Sequence, residues 1–377
     1  MKGLKLSREL HKLKRHFAAK WPLLTTKKVP VALYFDFFAA ARQGISPRLF
    51  IEDPAVKRNA VIKTFLETGA DGFVIGRLPS PFSYAAGGFP NCIHLPGCDL
   101  PEHSMWQFEE SKETIFVDDY DFIATYGWNR FLARLLPRFT NFRAVELPEL
   151  FQRSKEEGAR DLAAWRQKNI PLMCGAAVTA PFEVLCAGRT MFKFFEDLII
   201  RPEQVINALE GMVSDFIEGA IEAARFYGIP AVVITAHRSG GNLISPRHFE
   251  QFALPFLRKM IDMFYRAEIN VMLHLDCDWT ENLPYLRDFP CGLIMHTDGS
   301  TDLTRAGNLL KDNFILMGDV PAPILARGSP EEVEEYCINL IEKIGSESQL
   351  ILSSGCDVPM DAGIENVRAM VRVANRL

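Results

Sequence analysis

The residues best suited to chemistry lie in VMLHLDCDWT (271–280), where His274, Asp276, Cys277 and Asp278 follow a short apolar lead. Along a strand alternate residues share a face, so His274 and Asp276 point the same way. Cys277 then points away, unless the strand has already ended. Imidazole, carboxylate and thiolate are all competent zinc ligands. The same His–Asp pair also serves acid/base chemistry, or simply satisfies itself by hydrogen bonding. A further cysteine, Cys356, ends the last apolar run of the chain in LILSSGCDVP. A histidine, an aspartate or cysteine, and a second cysteine from separate strand ends make a catalytic zinc site with one open position. Spacing favours His274, Asp276 and Cys356 as metal ligands and leaves Cys277 as the competing candidate.

Other polar residues also stand at the ends of apolar runs. His296 and Asp298 in LIMHTDGSTD form a second same-face pair, and Asp319 follows in MGDVP. With His237 they are the candidate catalytic residues. The alternative for Asp298 and Asp319 is to cap the loops or helices that follow. Arg238 follows His237 and leads into SGGN, a loop whose glycines could cradle an anion. Arg77 could hold a carboxylate or phosphate, or serve as an exposed salt-bridge partner. Met105 and Trp106, in PEHSMWQFEE, could wall a pocket or simply pack. Arg77, Met105, Trp106 and Arg238 are thus the candidate substrate-binding residues. Cys174, Cys186, Cys291 and Cys337 read as small buried hydrophobes.

These residues need a scaffold that gathers strand ends. Seven short apolar runs supply it: 70–77, 171–178, 231–237, 270–279, 291–299, 314–320 and 350–357. Continuous rather than alternating apolar runs suit parallel strands covered on both faces. Helical patterns lie between them, and two open with Ser-Pro, at 245 and 329, a good helix start. FRAVELP (142–148) is a weaker eighth run. Eight strands would close an α/β fold of the TIM-barrel, (β/α)8, type, whose strand ends share one mouth. We therefore expect one barrel over residues 61–377, with residues 1–60 as a helical and strand extension capping it. That extension includes a strand over VPVALYFD (29–36). Residues 79–141 read as a long loop, a lid or substrate wall.

The totals narrow the function. The chain has 377 residues, 48% hydrophobic and 24% charged, with a net charge of −5. That charge argues against nucleic-acid binding, and no apolar run is long enough to span a membrane. The first 21 residues read as a basic amphipathic helix without the apolar core of a signal peptide. Eight cysteines without a C-x-x-C pair point to free thiols in a cytoplasmic setting. The oligomeric state stays open, with a homodimer as one option.

Several segments together resemble the uroporphyrinogen decarboxylase superfamily from about residue 50 onward. They are GADGF (69–73), APFEVLCAGRTMFKFFEDLIIRPEQV (180–205), SPRHFEQFALP (245–255), MGDVPAPIL (317–325) and SSGCDVPMDAGIENVRAM (353–370). The resemblance implies a single (β/α)8 barrel and one of two activities. One branch decarboxylates uroporphyrinogen without a cofactor. The other consists of zinc methyltransferases that exchange methyl groups with a corrinoid protein. The decarboxylases hold their substrate with arginine near the N-terminus, whereas the matching stretch here, PVALYFDFFAAARQG (30–44), has Phe35 and Asp36, with Arg42 only later. They also carry Gly-His-Gly in the final segment, where this chain has Gly355-Cys356-Asp357. The methyltransferases bind zinc through His-x-Cys and a later cysteine. Here the strand end reads His274-x-Asp276, so either Asp276 replaces the cysteine or a local shift brings Cys277 to the metal.

The resemblance therefore implies a methyltransferase acting on a small methylated substrate, with zinc as Lewis acid and a corrinoid supplied by a partner protein. An aspartate ligand makes the site harder and suits an oxygen, as in a methyl ether. The alternatives are a decarboxylase of a tetrapyrrole or smaller acid, and a barrel that only binds and delivers a corrinoid or tetrapyrrole.

Overall fold

Each of the seven apolar runs forms a strand. In the computed structural model, which describes residues 21–25, 29–76, 92–97, 100–138, 143–344 and 349–376, the strands are β1 (Ala32–Leu33), β2 (Gly72–Ile75), β3 (Cys92–His94), β4 (Gln107–Glu109), β5 (Leu172–Cys174), β6 (Ala176–Thr179), β7 (Ala231–Ala236), β8 (Asn270–Leu275), β9 (Leu293–Thr297), β10 (Phe314–Val320) and β11 (Leu350–Ser354). One sheet runs β1-β2-β5 and another β11-β10-β9-β8-β7-β6, all in parallel.

Two links join these sheets. β5 and β6 are halves of one strand that bends at Gly175, whose N–H donates to the Ala231 carbonyl at 2.9 Å. A Cβ there would lie 2.5 Å from the Ile229 carbonyl oxygen, so only glycine fits. At the other side Val31 bridges in parallel to Leu352, and Leu352 N–H donates to the Pro30 carbonyl at 2.9 Å. The α/β barrel expected from the sequence is thus built from eight parallel strands, counting β5 and β6 as one. β3 and β4 form a separate antiparallel hairpin.

The eighth strand is not the one expected. FRAVELP forms a short 3-10 turn at Ala144–Glu146 and then enters the helix Leu147–Gln167. Pro148 in the first turn of that helix starts it at no cost, because the missing N–H has no partner there anyway. The barrel strand comes instead from VPVALYFD, assigned above to the extension. Ala32–Leu33 pairs with β2 and Val31 with β11, so this segment is barrel wall rather than cap. The expected basic helix over residues 1–21 lies outside the described residues apart from Trp21. Of the expected loop 79–141, a part is helical, at Val117–Tyr126 and Trp128–Leu135. Trp128, Phe131, Leu132 and Leu135 recur at helical spacing and are all buried.

Both Ser-Pro helix starts are realised. Ser245 Oγ accepts from His248 N–H at 3.3 Å. Ser329 Oγ accepts from Glu332 N–H at 3.3 Å, while Glu332 returns a carboxylate oxygen to Ser329 N–H at 2.7 Å.

The barrel interior has an apolar floor. Ala32, Val74, Met173, Val233, Met272, Ile294, Ile315, Met317 and Ile351 pack there with Trp21 and Leu23. Trp21 is fully buried and donates its indole N–H to the Gly292 carbonyl at 3.2 Å, at the strand-start end. A second and larger apolar layer lies between strands and helices. Each fully buried large side chain contributes roughly 1.5–3 kcal/mol. No helix among the described residues is long and apolar enough to cross a membrane.

Candidate metal centre

His274 stands two positions beyond Met272 on β8, and His296 two beyond Ile294 on β9, so alternation lifts both above the apolar floor. His274 Nε2 lies 3.2 Å from Asp276 Oδ1 and 3.4 Å from Cys356 Sγ. The three donor atoms lie within 4.8 Å of one another, and all three residues are half-buried at the strand-end mouth. Zinc bonds of ~2.0 Å to nitrogen and oxygen and ~2.3 Å to sulfur put tetrahedral neighbours about 3.3 Å (N to O) and about 3.5 Å (N to S) apart. The spacing of the donors therefore fits a zinc ion.

The electrostatics agree. Burial opposes charge on His274, but Cys356 and Asp276 beside it raise its pKa well above the usual imidazole range. Burial also opposes charge on Asp276, yet His274 and the hydrogen bond from His237 hold its carboxyl well below the usual range. Asp276 and Cys356 thus favour positive charge at His274, carried by a proton or by a metal ion.

The backbone after β8 fixes which neighbour joins the cluster. Asp276 N–H donates to the Ala236 carbonyl at 3.1 Å. The Trp279 indole donates to the Asp276 carbonyl at 2.9 Å. Cys277 then takes a left-handed conformation, φ 70°. Its N–H donates to Asp298 Oδ2 at 3.0 Å, and its thiol donates to the His237 carbonyl at 2.8 Å. Cys277 is therefore turned away from the donor group that Asp276 completes. Gly355 permits the approach from the far side: a Cβ there would lie 2.6 Å from the Asp298 carbonyl oxygen.

The other sequence candidates divide. His237 Nδ1 lies 2.7 Å from Asp276 Oδ2, directly behind the cluster. His296 is buried, with Nδ1 3.0 Å from His274 Nδ1 and Nε2 2.9 Å from the Ser354 carbonyl. Burial, then the charge of His274, pushes its pKa down to about 3. Asp298 is a loop cap, accepting from Cys277 N–H and, at 2.9 Å, from Ser300 N–H. Asp319 does not face the mouth cluster. Its carboxylate accepts from the Tyr336 hydroxyl at 2.8 Å, on the helix Pro330–Ile344 that packs outside β10. Alternation fails there because Gly318 takes a positive φ, 125°.

The loop after β7, expected to cradle an anion with its glycines, is clasped at its start by a carboxylate of the protein, and Gly241 N–H donates to the Asp278 carbonyl at 3.0 Å. Buried Glu183, in the first turn of helix Pro181–Arg189, accepts from Arg238 N–H at 2.7 Å and from Ser239 Oγ at 2.6 Å. The Arg238 guanidinium pairs with Glu110, next to the β3–β4 hairpin, at 2.8 Å. Met105 and Trp106 are half-buried, and Trp106 sits edge-on to Phe108 with centroids 4.6 Å apart. Arg77 lies outside the described residues. Cys174, Cys186 and Cys337 are buried, and Cys291 is half-buried at the opposite end of β9.

Sequence reasoning missed Glu183 and Ser354. The only signal for Glu183 was a carboxylate one turn into a helix that follows a strand. It also missed a carboxylate contact: Asp36 N–H donates to Asp357 Oδ1 at 3.1 Å. Burial and the nearby Asp36 charge push the Asp357 pKa well above the usual range. Arg42 is turned outward to Glu67, at 2.7 Å.

The sequence pattern of the uroporphyrinogen decarboxylase (URO-D) family matches residues 157–377, more than half of the chain and all of the cluster. The chain belongs to the uroporphyrinogen decarboxylase family. Among curated URO-D relatives, Methylcobamide:CoM methyltransferase MtbA of Methanosarcina acetivorans is 27% identical over 173 residues, 46% of this chain and 49% of the relative. MtbA of Methanosarcina mazei is 26% identical over 174 residues, again 46% and 49%. Uroporphyrinogen decarboxylase of Pseudoalteromonas translucida is 20% identical over 177 residues, 45% and 47%. The chain thus spans about half the length of the curated relatives it matches, and the higher identities fall on the methyltransferase branch. A solved structure of a methyltransferase from Methanosarcina mazei shares the fold, with a TM-score of 0.67 at 16% identity over 93% of this chain and 94% of that one.

Proposed function

We propose that this protein transfers a methyl group between a small methylated substrate and a corrinoid protein, with zinc held by His274, Asp276 and Cys356. The observation that carries this reading is the donor triad itself: a nitrogen 3.2 Å from an oxygen and 3.4 Å from a sulfur, all three within 4.8 Å of one another and half-buried at the barrel mouth. Zinc bound there supplies a Lewis acid for the methyl-bearing atom. The chain's own residues set its character. One thiolate instead of two leaves the site harder, and the His237 hydrogen bond draws further charge from Asp276. Such a site favours oxygen over sulfur, so a methyl ether is the substrate class we infer. The carbon–oxygen bond breaks, the methyl passes to a Co(I) corrinoid brought by the partner protein, and the oxygen leaves with the electron pair. The cysteine usage fits a reducing, cytoplasmic setting.

The decarboxylase alternative has less support. Where the resemblance places substrate-holding arginine this chain has Asp36, whose N–H is bonded to Asp357, and Arg42 is engaged by Glu67. The test is methyl transfer from a panel of methyl ethers and methyl thioethers to free cob(I)alamin by the zinc-loaded protein. Zinc-dependent ether demethylation, lost in Cys356→Ser, is expected. Carbon dioxide release from uroporphyrinogen by the metal-free protein would overturn the reading.

A further inference from the structure

Among the described residues, His296 is the one imidazole that touches both halves of the donor cluster without offering it a ligand atom. Its Nε2 faces the Ser354 carbonyl at 2.9 Å, and its Nδ1 faces His274 Nδ1 at 3.0 Å. A carbonyl oxygen only accepts, so His296 Nε2 carries a hydrogen. Two ring nitrogens at hydrogen-bond distance need one hydrogen between them. In neutral His296 the Nδ1 is then bare, so that hydrogen belongs to His274 Nδ1. His274 is left with Nε2 as its ligand atom, and Nε2 is the nitrogen aimed at Asp276 and Cys356. The opposite assignment puts two hydrogens on His296, makes it a buried imidazolium, and leaves the wrong nitrogen of His274 to bind.

The same ring also ties the cluster together in space. β9 lies beside β8 but is separated from β11 by β10. His296 nevertheless reaches the last residue of β11, and Ser354 in turn donates its hydroxyl to the Cys356 carbonyl at 2.6 Å. One side chain thus links the His274–Asp276 strand end to the segment carrying Cys356.

We propose that His296 is the positioning residue of the metal centre: it fixes His274 in the Nδ1–H form and holds the two ligand segments in register. This rests on the metal reading above. Histidine ligands in metal sites are commonly oriented by such a partner, whose loss weakens binding by about tenfold to a hundredfold.

The test compares zinc affinity, by competition with a chromophoric chelator, in wild type, His296→Leu and His296→Gln. The leucine variant is expected to bind about tenfold to a hundredfold more weakly. The glutamine variant, whose amide can donate to Ser354 and accept from His274, recovers most of that loss. A leucine variant that keeps wild-type zinc affinity overturns the inference. A second readout needs neither zinc nor a variant: the ring 15N spectrum of His296 in metal-free protein. It should show Nε2 protonated and Nδ1 bare, and a protonated Nδ1 overturns the assignment. Wild-type protein that takes up no zinc overturns the metal reading itself, whereas wild-type uptake with an unaffected leucine variant overturns this inference alone.

Discussion

The Cys277 thiol donates to the main-chain oxygen of His237 across 2.8 Å, and this contact decides which of two adjacent residues faces the cluster. Zinc's preference for thiolate argued for Cys277, and strand alternation argued for Asp276. The chain leaves β8 with Asp276 still hydrogen-bonded to Ala236, so alternation holds for one more residue. Burial then pushes the Cys277 thiol up to about 11, with Asp276 and Asp298 adding to the shift. It stays a protonated clasp between two loops.

Cys277→Ser should therefore keep its zinc. The serine hydroxyl can still donate to the His237 carbonyl, so the thermal midpoint should change little. Metal analysis of Cys277→Ser beside Cys356→Ser checks this. Equal loss from both variants would return Cys277 to the ligand set.

His237→Ala should loosen Asp276 without removing a ligand. Its carboxylate loses the 2.7 Å contact on Oδ2. Zinc affinity should fall by roughly tenfold to a hundredfold, and Asp276→Ala should fall further. Chelator competition ranks the two.

Metal uptake should release protons. The His274 pKa is raised well above the usual imidazole range, so at neutral pH its Nε2 holds a proton that zinc must displace. Asp276, held well below the usual range, contributes none. Affinity should rise with pH through the neutral range, with at least about one proton released per zinc. Calorimetry in buffers of different ionisation enthalpy counts them, and a count of zero contradicts the assignment.

Asp319 makes a stability prediction separate from the metal. Burial raises its carboxyl to about 6 from an ordinary 3.8, against the Tyr336 hydrogen bond. The folded chain then binds more protons than the unfolded one across that window. This contribution is fully present below the unfolded pKa and is lost as pH rises through about 6. The loss is up to about 3 kcal/mol. Asp319→Asn keeps an oxygen for Tyr336 and should flatten the slope, gaining stability at pH above neutrality. Denaturant midpoints of both proteins at acid and alkaline pH measure it.

Much of this architecture was legible. Apolar runs gave seven strands because parallel strands are covered on both faces, and His274, Asp276 and Cys356 fell at strand ends. The strand in VPVALYFD was expected, but as part of a cap; its place in the barrel wall depends on pairing with β2 and β11, far away in sequence, which no local pattern records. FRAVELP misled because a short apolar run cannot distinguish a strand from a helix start. The outward turn of Asp319 and the Glu183 clasp depend on tertiary packing that no local pattern records.

The most direct measurement is zinc X-ray absorption on the loaded protein. A triad of His274, Asp276 and Cys356 predicts a single sulfur at about 2.3 Å, with nitrogen and oxygen at about 2.0 Å. Two sulfurs in the shell, or no zinc retained after loading, would contradict it.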